Sequence, residues 1–498
     1  MVLYHVSTTY QLLYCITHRL ARHPREGAGL LLVEYIFPEA RRKETVQRLL
    51  DTGWFSFVRL VPENQFKLRR GNSLTESSSP QEIEGVIRNI CACVQGWLGM
   101  DVKQFSPIYI GSDQWSFGIY CLANQIPHVY IEDASGMLSQ RERYMKITRE
   151  ISLTNYVISQ YLHGAGTSEY ETARLCDMRN FVPGFTDEKA VNFSIYDALK
   201  EEIPQKVPEI LEFYGAKPVT VPQGRPVCMY MTQYLKSMAV KDLDVQEQIT
   251  NLLVDYFAQG FQLVIKPHPK DQWLNYRRMF PEAVLLPPNI NSELIPFLFD
   301  QPVQRVLTAS STSVGGMAPF AREVFQFTTE IETRFEHLHA VYLAAVLLGE
   351  AAKAWGPLHL SLQRVNVVQL ENFLRILEVP QKETGAPVLV TEGAPPEAPG
   401  SAVLWIAGER SSGKPPVLPR AGQALELRGT LLPEEGSLLT ENAFLLYLTA
   451  PCPGMLSQLP PLDFVRELPF SRAKLQIQSK LLTEEEIDAK NHEEREIL

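Results

Sequence analysis

Three short segments hold residues whose types and spacing suit chemistry. "FQLVIKPHPKD" (261–271) is an apolar run that ends in Lys266, Pro267, His268 and Pro269. A proline on each side of His268 removes two backbone donors and narrows the backbone angles, so an imidazole is braced at a strand end. "VLTASSTSVGGMAPFAREVFQF" (306–327) runs from a strand into the hydroxyls of Thr308, Ser310, Ser311, Thr312 and Ser313, followed by Gly315 and Gly316. Hydroxyls with open backbone N–H groups at a helix start suit a phosphate; an ordinary helix cap uses the same residues. "PHVYIEDASG" (127–136) places Glu132 and Asp133 at another strand end. A carboxylate there can accept a proton from a substrate hydroxyl, while Asp133 is also suited to cap the helix that follows. Phosphate contact and proton abstraction are the two halves of a group transfer.

The elements that must position these residues alternate. Strands are expected at 2–7, 29–37, 55–61, 106–112, 128–133 and 155–159, with amphipathic helices between them such as "TYQLLYCITHRLARH". Apolar strands alternating with helices of three- and four-residue spacing predict a parallel sheet covered on both faces. After a helical connector the pattern restarts: strands at 226–235, 261–267, 282–288, 304–310 and 323–327, with a helix at "VQEQITNLLVDYFAQG". The chain therefore reads as α/β, with two Rossmann-like doubly wound domains and a ligand cleft at the carboxyl ends of strands. The expected division is 1–195 for the first of these domains and 205–345 for the second. Helices packing back on the core fill 346–379, a Pro/Gly-rich linker 380–401, a small β-rich module 402–470 and an acidic helical tail 471–498.

Composition sets the outer bounds. A chain of 498 residues needs two or three cores. A net charge of -10 argues against general nucleic-acid binding. Seven cysteines without regular spacing read as reduced thiols. No basic-apolar leader and no run of about 18 apolar residues occurs, so a cytoplasmic protein is expected, with peripheral membrane contact open.

Together, the strand-end "KPHP", the later strand-end "SS" and the acidic pair resemble the bacterial sialyltransferases, including the polysialyltransferase and lipooligosaccharide sialyltransferase groups. Those enzymes share an acidic-acidic-Gly, a His-Pro and a Ser-Ser motif. The opening "HVSTTYQLLYCITHRL" is similar to the strand, Thr-x-x-Gln-Leu-Leu and helix with which several of them begin. The resemblance spans about residues 1–345 and leaves the β module and tail unexplained. It implies a GT-B fold and an inverting, metal-independent transfer from CMP-sialic acid to a glycan, with no cofactor. On that reading His268 and Pro269 belong to the donor motif, and Ser310 and Ser311 hold phosphate or sugar carboxylate. Thr312, Gly315 and Lys266 join that substrate-binding set. Glu132 matches the first acid, the expected general base, and Asp133 the second. Ala134 stands where the motif has glycine, with Gly136 two residues later, so the choice between the two acids stays open.

An oxocarbenium-like transition state with a departing phosphate suits an imidazole N–H and hydroxyls on one side and a carboxylate on the other. Rival readings keep the fold and change the donor to CMP-Kdo or a CDP-polyol, or make the chain a glycan-binding or assembly protein with a degenerate site. Such a partner would be a surface-polysaccharide assembly complex. "GERSSGKPP" (408–416) nearly matches a phosphate-binding P-loop, but Pro415 replaces the metal-binding hydroxyl. "HLHAV" (337–341) sets two histidines on different helix faces, which argues against a metal. Basic clusters at 22–27, 40–44 and 66–72 offer a path for an anionic glycan or are solvated surface.

Overall fold

A computed structural model describes residues 1–221, 225–233, 243–271, 274–309, 311, 314, 317, 320–326, 347–355, 358–361, 388–391, 401–406, 424–432, 435, 442–449, 456–468 and 472–489. The chain divides into two compact units. The first comprises Met1–Val219, Ile290–Asp300 and Met317; the second comprises Thr220–Asn289 and the described residues of Gln301–Val314 and Phe320–Leu498.

Unit 1 is one parallel sheet of seven strands. They are β1 (Val2–Val6), β2 (Ala28–Val33), β3 (Phe57–Val61), β4 (Ile108–Gly111), β5 (His128–Ile131), β6 (Glu171–Cys176) and β7 (Ala190–Asn192). Their order across the sheet is β3-β2-β1-β4-β5-β6-β7, so the winding reverses between β1 and β4. That reversal opens a crevice at the carboxyl ends of β1 and β4, where doubly wound proteins bind ligands. The connecting helices are α1 (Thr9–Arg22), α2 (Glu39–Asp51), α3 (Glu63–Arg69), α4 (Pro80–Leu98), α5 (Ser116–Ala123), α6 (Arg141–Ile151) and α7 (Leu153–Tyr161). Local signals start them: Thr8 caps α1 by accepting the Gln11 N–H, and Ser79 and Glu82 form a reciprocal capping box on α4. Helix α4 buries Ile83, Val86, Ile87, Ile90, Val94 and Leu98, a stripe of three- and four-residue spacing, in the same core as β1 and β4.

One expectation in this unit fails, and one strand was not expected. "NYVIS" (155–159), read as a strand, lies inside α7, where the Ser152 hydroxyl caps the helix by accepting the Asn155 N–H. A short apolar run carries no period that separates strand from buried helix, and the cap decides. The strand that follows β5 is instead "ETARLC", β6. Its Glu171 is fully buried and paired with Arg174, which also holds Asp187 through two bonds of 2.8 Å. A strand built on a buried ion network is invisible to hydropathy.

In unit 2 the strands β8 (Val227–Met231), β9 (Gln262–Lys266), β10 (Val284–Leu285), β11 (Val303–Thr308) and β12 (Glu323–Gln326) form a second parallel sheet, ordered β10-β9-β8-β11-β12. Helix Leu243–Phe257 crosses between β8 and β9. The winding reverses between β8 and β11, the same construction as in unit 1. The fold class expected from the sequence is therefore present: two Rossmann-like, doubly wound α/β units, as in GT-B proteins, followed by a β-rich part.

That β-rich part is a mixed sheet of β13 (Leu358–Ser361), β14 (Val388–Thr391), β15 (Ser401–Ile406), β16 (Ala424–Leu432), β17 (Asn442–Thr449), β18 (Asp463–Glu467) and β19 (Lys474–Leu481). Its order is β14-β13-β15-β17-β16-β19-β18, parallel through β14, β13 and β15 and antiparallel beyond. Strand β14 lies within the expected linker, and β13 within the stretch expected to be helical. Strand β19 begins the expected helical tail: Leu475 and Ile477 alternate inward, a two-residue period, and helix resumes only at 484–489. The segments 337–341, 366–379 and 408–416 lie outside the described residues. Among those described, no helix is long and apolar enough to cross a membrane.

Candidate active site

In unit 1 the acidic pair sits where β5 ends, beside the reversal point, and its two carboxylates have different surroundings. Glu132 is fully buried. Its Oε1 accepts the Asp177 N–H at 3.0 Å and the Tyr10 hydroxyl at 3.4 Å, and its Oε2 accepts the Gly136 N–H at 3.0 Å. Glu132 thus ties the end of β5 to the end of β6 and to the turn that follows. Burial pushes its carboxyl up to about 8, against the pull of the two amide N–H groups, and the nearby Asp177 carboxylate pushes the same way. Gly136 is required in that turn: its φ is +78°, and a Cβ there would meet the Asn180 carbonyl oxygen at 2.4 Å.

Asp133 is half-buried. Its Oδ1 accepts a hydrogen bond from the Ser112 hydroxyl at the end of β4, and another from Gln11 Nε2 at 3.3 Å. Burial raises its carboxyl above the usual range, and the Ser112 hydroxyl opposes the shift. Gln11 is the hub that fixes this geometry. Its Oε1 accepts from the Ser7 N–H at 2.9 Å and the Ser7 hydroxyl at 3.1 Å, while its Nε2 also donates to Ser112 Oγ at 2.8 Å. One fully buried amide thus joins the ends of β1, β4 and β5. Gly111 leaves room for it, since a Cβ there would meet the Gln11 side chain at 2.5–2.8 Å.

In unit 2 His268 follows β9. Its N–H donates to the Thr232 hydroxyl at 2.9 Å, just past β8, and its carbonyl accepts the Asp271 N–H at 2.9 Å to close a turn. The Lys270 N–H donates to His268 Nδ1 at 3.1 Å. An imidazole whose Nδ1 accepts carries its proton on Nε2 when neutral. Burial, with the charges of Lys266 and Lys270, lowers its pKa to about 4, so it is neutral at pH 7. Asp271 accepts from the hydroxyls of Thr232 and Tyr276 and stiffens the turn. Thr308, at the end of β11, donates to the Met231 carbonyl at 2.9 Å, and its hydroxyl accepts the Ser311 N–H at 3.2 Å. The His268 and Ser311 turns are therefore tied through the end of β8.

The structure places the remaining sequence candidates as follows. Pro269 is exposed in the His268 turn, and Ser311 is buried. Lys266 is nearly buried, its ammonium donating to the Pro267 and Pro288 carbonyls at 3.1 Å each, so it braces the loops at this end of the sheet. Ser310, Thr312 and Gly315 lie outside the described residues. Sequence reasoning missed Ser112, Asp177, Thr232, Asp271 and Tyr276. Ser112, with φ +61°, follows a strand directly, and a polar residue at that position is the one signal that marks it.

No family model matches the chain, and no curated protein matches it. Among solved structures, the UDP-GlcNAc 2-epimerase from Neisseria meningitidis bound to UDP-GlcNAc is similar at 13% identity and TM-score 0.35, over 69% of this chain and 86% of that one. The S. aureus MnaA–UDP co-structure is similar at 12% identity and TM-score 0.38, over 68% and 82%. The spinosyn rhamnosyltransferase SpnG is similar at 10% identity and TM-score 0.36, over 77% and 91%. Likeness at these scores carries no argument; the fold rests on the two strand orders.

Proposed function

We propose that the chain is an inverting, metal-independent glycosyltransferase that moves sialic acid from CMP-sialic acid to a hydroxyl of a glycan. The observation that carries the reading is His268: a neutral imidazole at a strand's carboxyl end, its Nδ1 engaged by the Lys270 amide and its proton on Nε2. A fixed N–H of this kind stabilises the negative charge that grows on a leaving phosphate. Thr308 and Ser311, two strands away, support the same end of the unit. On this reading unit 2 holds the donor's phosphate and unit 1 supplies the base.

Asp133, rather than the fully buried Glu132, is the carboxylate that meets the acceptor. Glu132 positions it by holding the turn through Gly136 and the end of β6 through Asp177. The acceptor oxygen attacks the anomeric carbon, the bond from that carbon to the phosphate oxygen breaks, CMP departs, and the acceptor's proton passes to Asp133. Burial raises the basicity of this carboxylate, which suits a group that takes up the acceptor's proton.

The test offers CMP-sialic acid, CMP-Kdo and CDP-glycerol separately with a glycan mixture and follows release of the cytidine nucleotide. CMP release from CMP-sialic acid alone, about 10²–10⁴-fold slower with His268→Ala or Asp133→Asn, is the expected result. Turnover of another donor instead would reject the sialic acid assignment. Turnover of none would reject the enzyme.

A further inference from the structure

We infer that unit 2 carries a second ligand site, a cavity of about 480 Å³ at the amino ends of β9 and β10 that takes a nucleotide with an amino-bearing base. It lies at the opposite end of β9 from His268 and does not depend on the transferase reading. Two turns lead into these strands. In the first, Gly260 has φ +78° and the Phe261 N–H donates to the Ala258 carbonyl at 3.2 Å; in the second, the Ala283 N–H donates to the Phe280 carbonyl at 3.0 Å. The Gln262 N–H donates to the Pro226 carbonyl at 2.8 Å, which sets Arg225 beside the start of β9. A cavity of this size suits a small molecule.

Gln262 sets the polarity of the cavity it lines. The residue is 8% exposed, and its Nε2 donates at 3.2 Å to the Leu263 and Glu282 carbonyls. Carbonyl neighbours accept only from the amide nitrogen, so chemistry settles which way this amide is turned. Its Oε1 has no donor among the described residues and is accessible from the cavity. That oxygen is an acceptor only, and it calls for a ligand N–H or O–H. Three charged residues line the same space. Arg225 is exposed and makes no ion pair among the described residues, and Glu282 is exposed. Arg472, at φ +57°, stands in the turn between β18 and β19, its N–H donating to the Leu468 carbonyl at 2.9 Å. Phe261 adds a half-buried ring, with the Arg305 guanidinium 4.7 Å from its centroid.

Each part of a nucleoside monophosphate meets a group of the right type here. Guanidiniums pair with the phosphate. The Glu282 carboxylate accepts from ribose hydroxyls, and an aromatic ring stacks with a base. Gln262 Oε1 accepts from the exocyclic amine of cytosine or adenine. Uracil would set a carbonyl against Oε1, two acceptors with no proton between them. Inorganic phosphate would leave the ring and the amide unused, and a nucleoside without phosphate would leave the guanidiniums unused. The ring is held in place from behind, because Arg305 is itself fixed by Glu323 and by the Phe257 carbonyl, at 2.8 Å each.

Equilibrium dialysis of the full chain with labelled CMP and labelled AMP, each competed with UMP, cytidine or inorganic phosphate, tests the inference. Arg225 is exposed, so Arg225→Gln should fold as wild type does. At least one of the two labelled nucleotides is expected at a site that Arg225→Gln weakens about tenfold to a hundredfold. The competitors are expected to displace it only at about tenfold to a hundredfold higher concentration than the unlabelled nucleotide itself. Binding of both nucleotides unchanged by Arg225→Gln, or equal displacement by UMP, cytidine or phosphate, overturns the inference. A CMP site weakened by His268→Ala and untouched by Arg225→Gln belongs to the transferase reading. Found alone, it removes the second site and leaves that reading intact; its absence beside an Arg225-dependent site does the reverse.

Discussion

Replacing Gln11 with leucine tests whether one amide holds the candidate site together. The side chain is fully buried and makes four hydrogen bonds, at 2.9 and 3.1 Å to Ser7 and at 2.8 and 3.3 Å to Ser112 and Asp133. Neutral bonds contribute about 1 kcal/mol each and a bond to a carboxylate about 2 kcal/mol. Leucine fills much of the space but leaves the Ser7 N–H without that acceptor in a dry site. The losses are not additive, so the expected cost is about 3 kcal/mol, with Asp133 released from its geometry. Urea unfolding at constant m measures the cost. Gln11→Glu sharpens the test, because it sets a second carboxylate against Asp133. The folded-state pKa of that pair must rise above the unfolded value, so the variant is closest to wild type at low pH and loses stability as pH rises. A loss below about 1 kcal/mol for Gln11→Leu, or a Gln11→Glu stability that does not fall with pH, would refute the account of Gln11 as the hub.

Three further outcomes are expected. Glu132 is raised in the folded state to about 8 from 4.5, so its folded form binds the extra proton; stability should fall as pH rises between those values, and Glu132→Gln should remove about one proton from that slope in pH-dependent unfolding. For His268, lowered to about 4, stability should be lost as pH falls below about 6.5; nitrogen NMR should show the Nε2–H tautomer at pH 7, and an Nδ1–H signal would contradict the structure. Lys266→Met should cost about 1–3 kcal/mol by leaving the Pro267 and Pro288 carbonyls without their charged donor. The same change should move the His268 titration upward, because the Lys266 charge now depresses it; an unmoved titration would show that the Lys266 charge has no part in the shift.

Much of the fold was legible because its signals are local. The apolar runs that became β1, β2, β4, β8, β9 and β11 needed only their composition, and the candidate residues Glu132, Asp133 and His268 were visible as polar residues ending such runs. The failures came where a structure depends on distant partners. Strand β6 owes its place to Glu171, Arg174 and Asp187 meeting in the interior, and β13 and β14 to each other across the chain.

By itself, the sequence determined two α/β units, each with candidate polar residues at the ends of its strands, since hydrophobic period and proline bracing act over a few residues. Only the tertiary structure decided how the surroundings of the two acids differ. Glu132 and Asp133 are neighbours with similar side chains, yet backbone amides from two other segments enclose Glu132, while Gln11 and Ser112, far away in sequence, hold Asp133 half-buried. The same holds for His268, whose tautomer is set by a turn, and for Lys266, whose ammonium is drawn to the carbonyls of Pro267 and Pro288. Charge type is written in the residue; its direction and protonation are set by what the fold brings beside it.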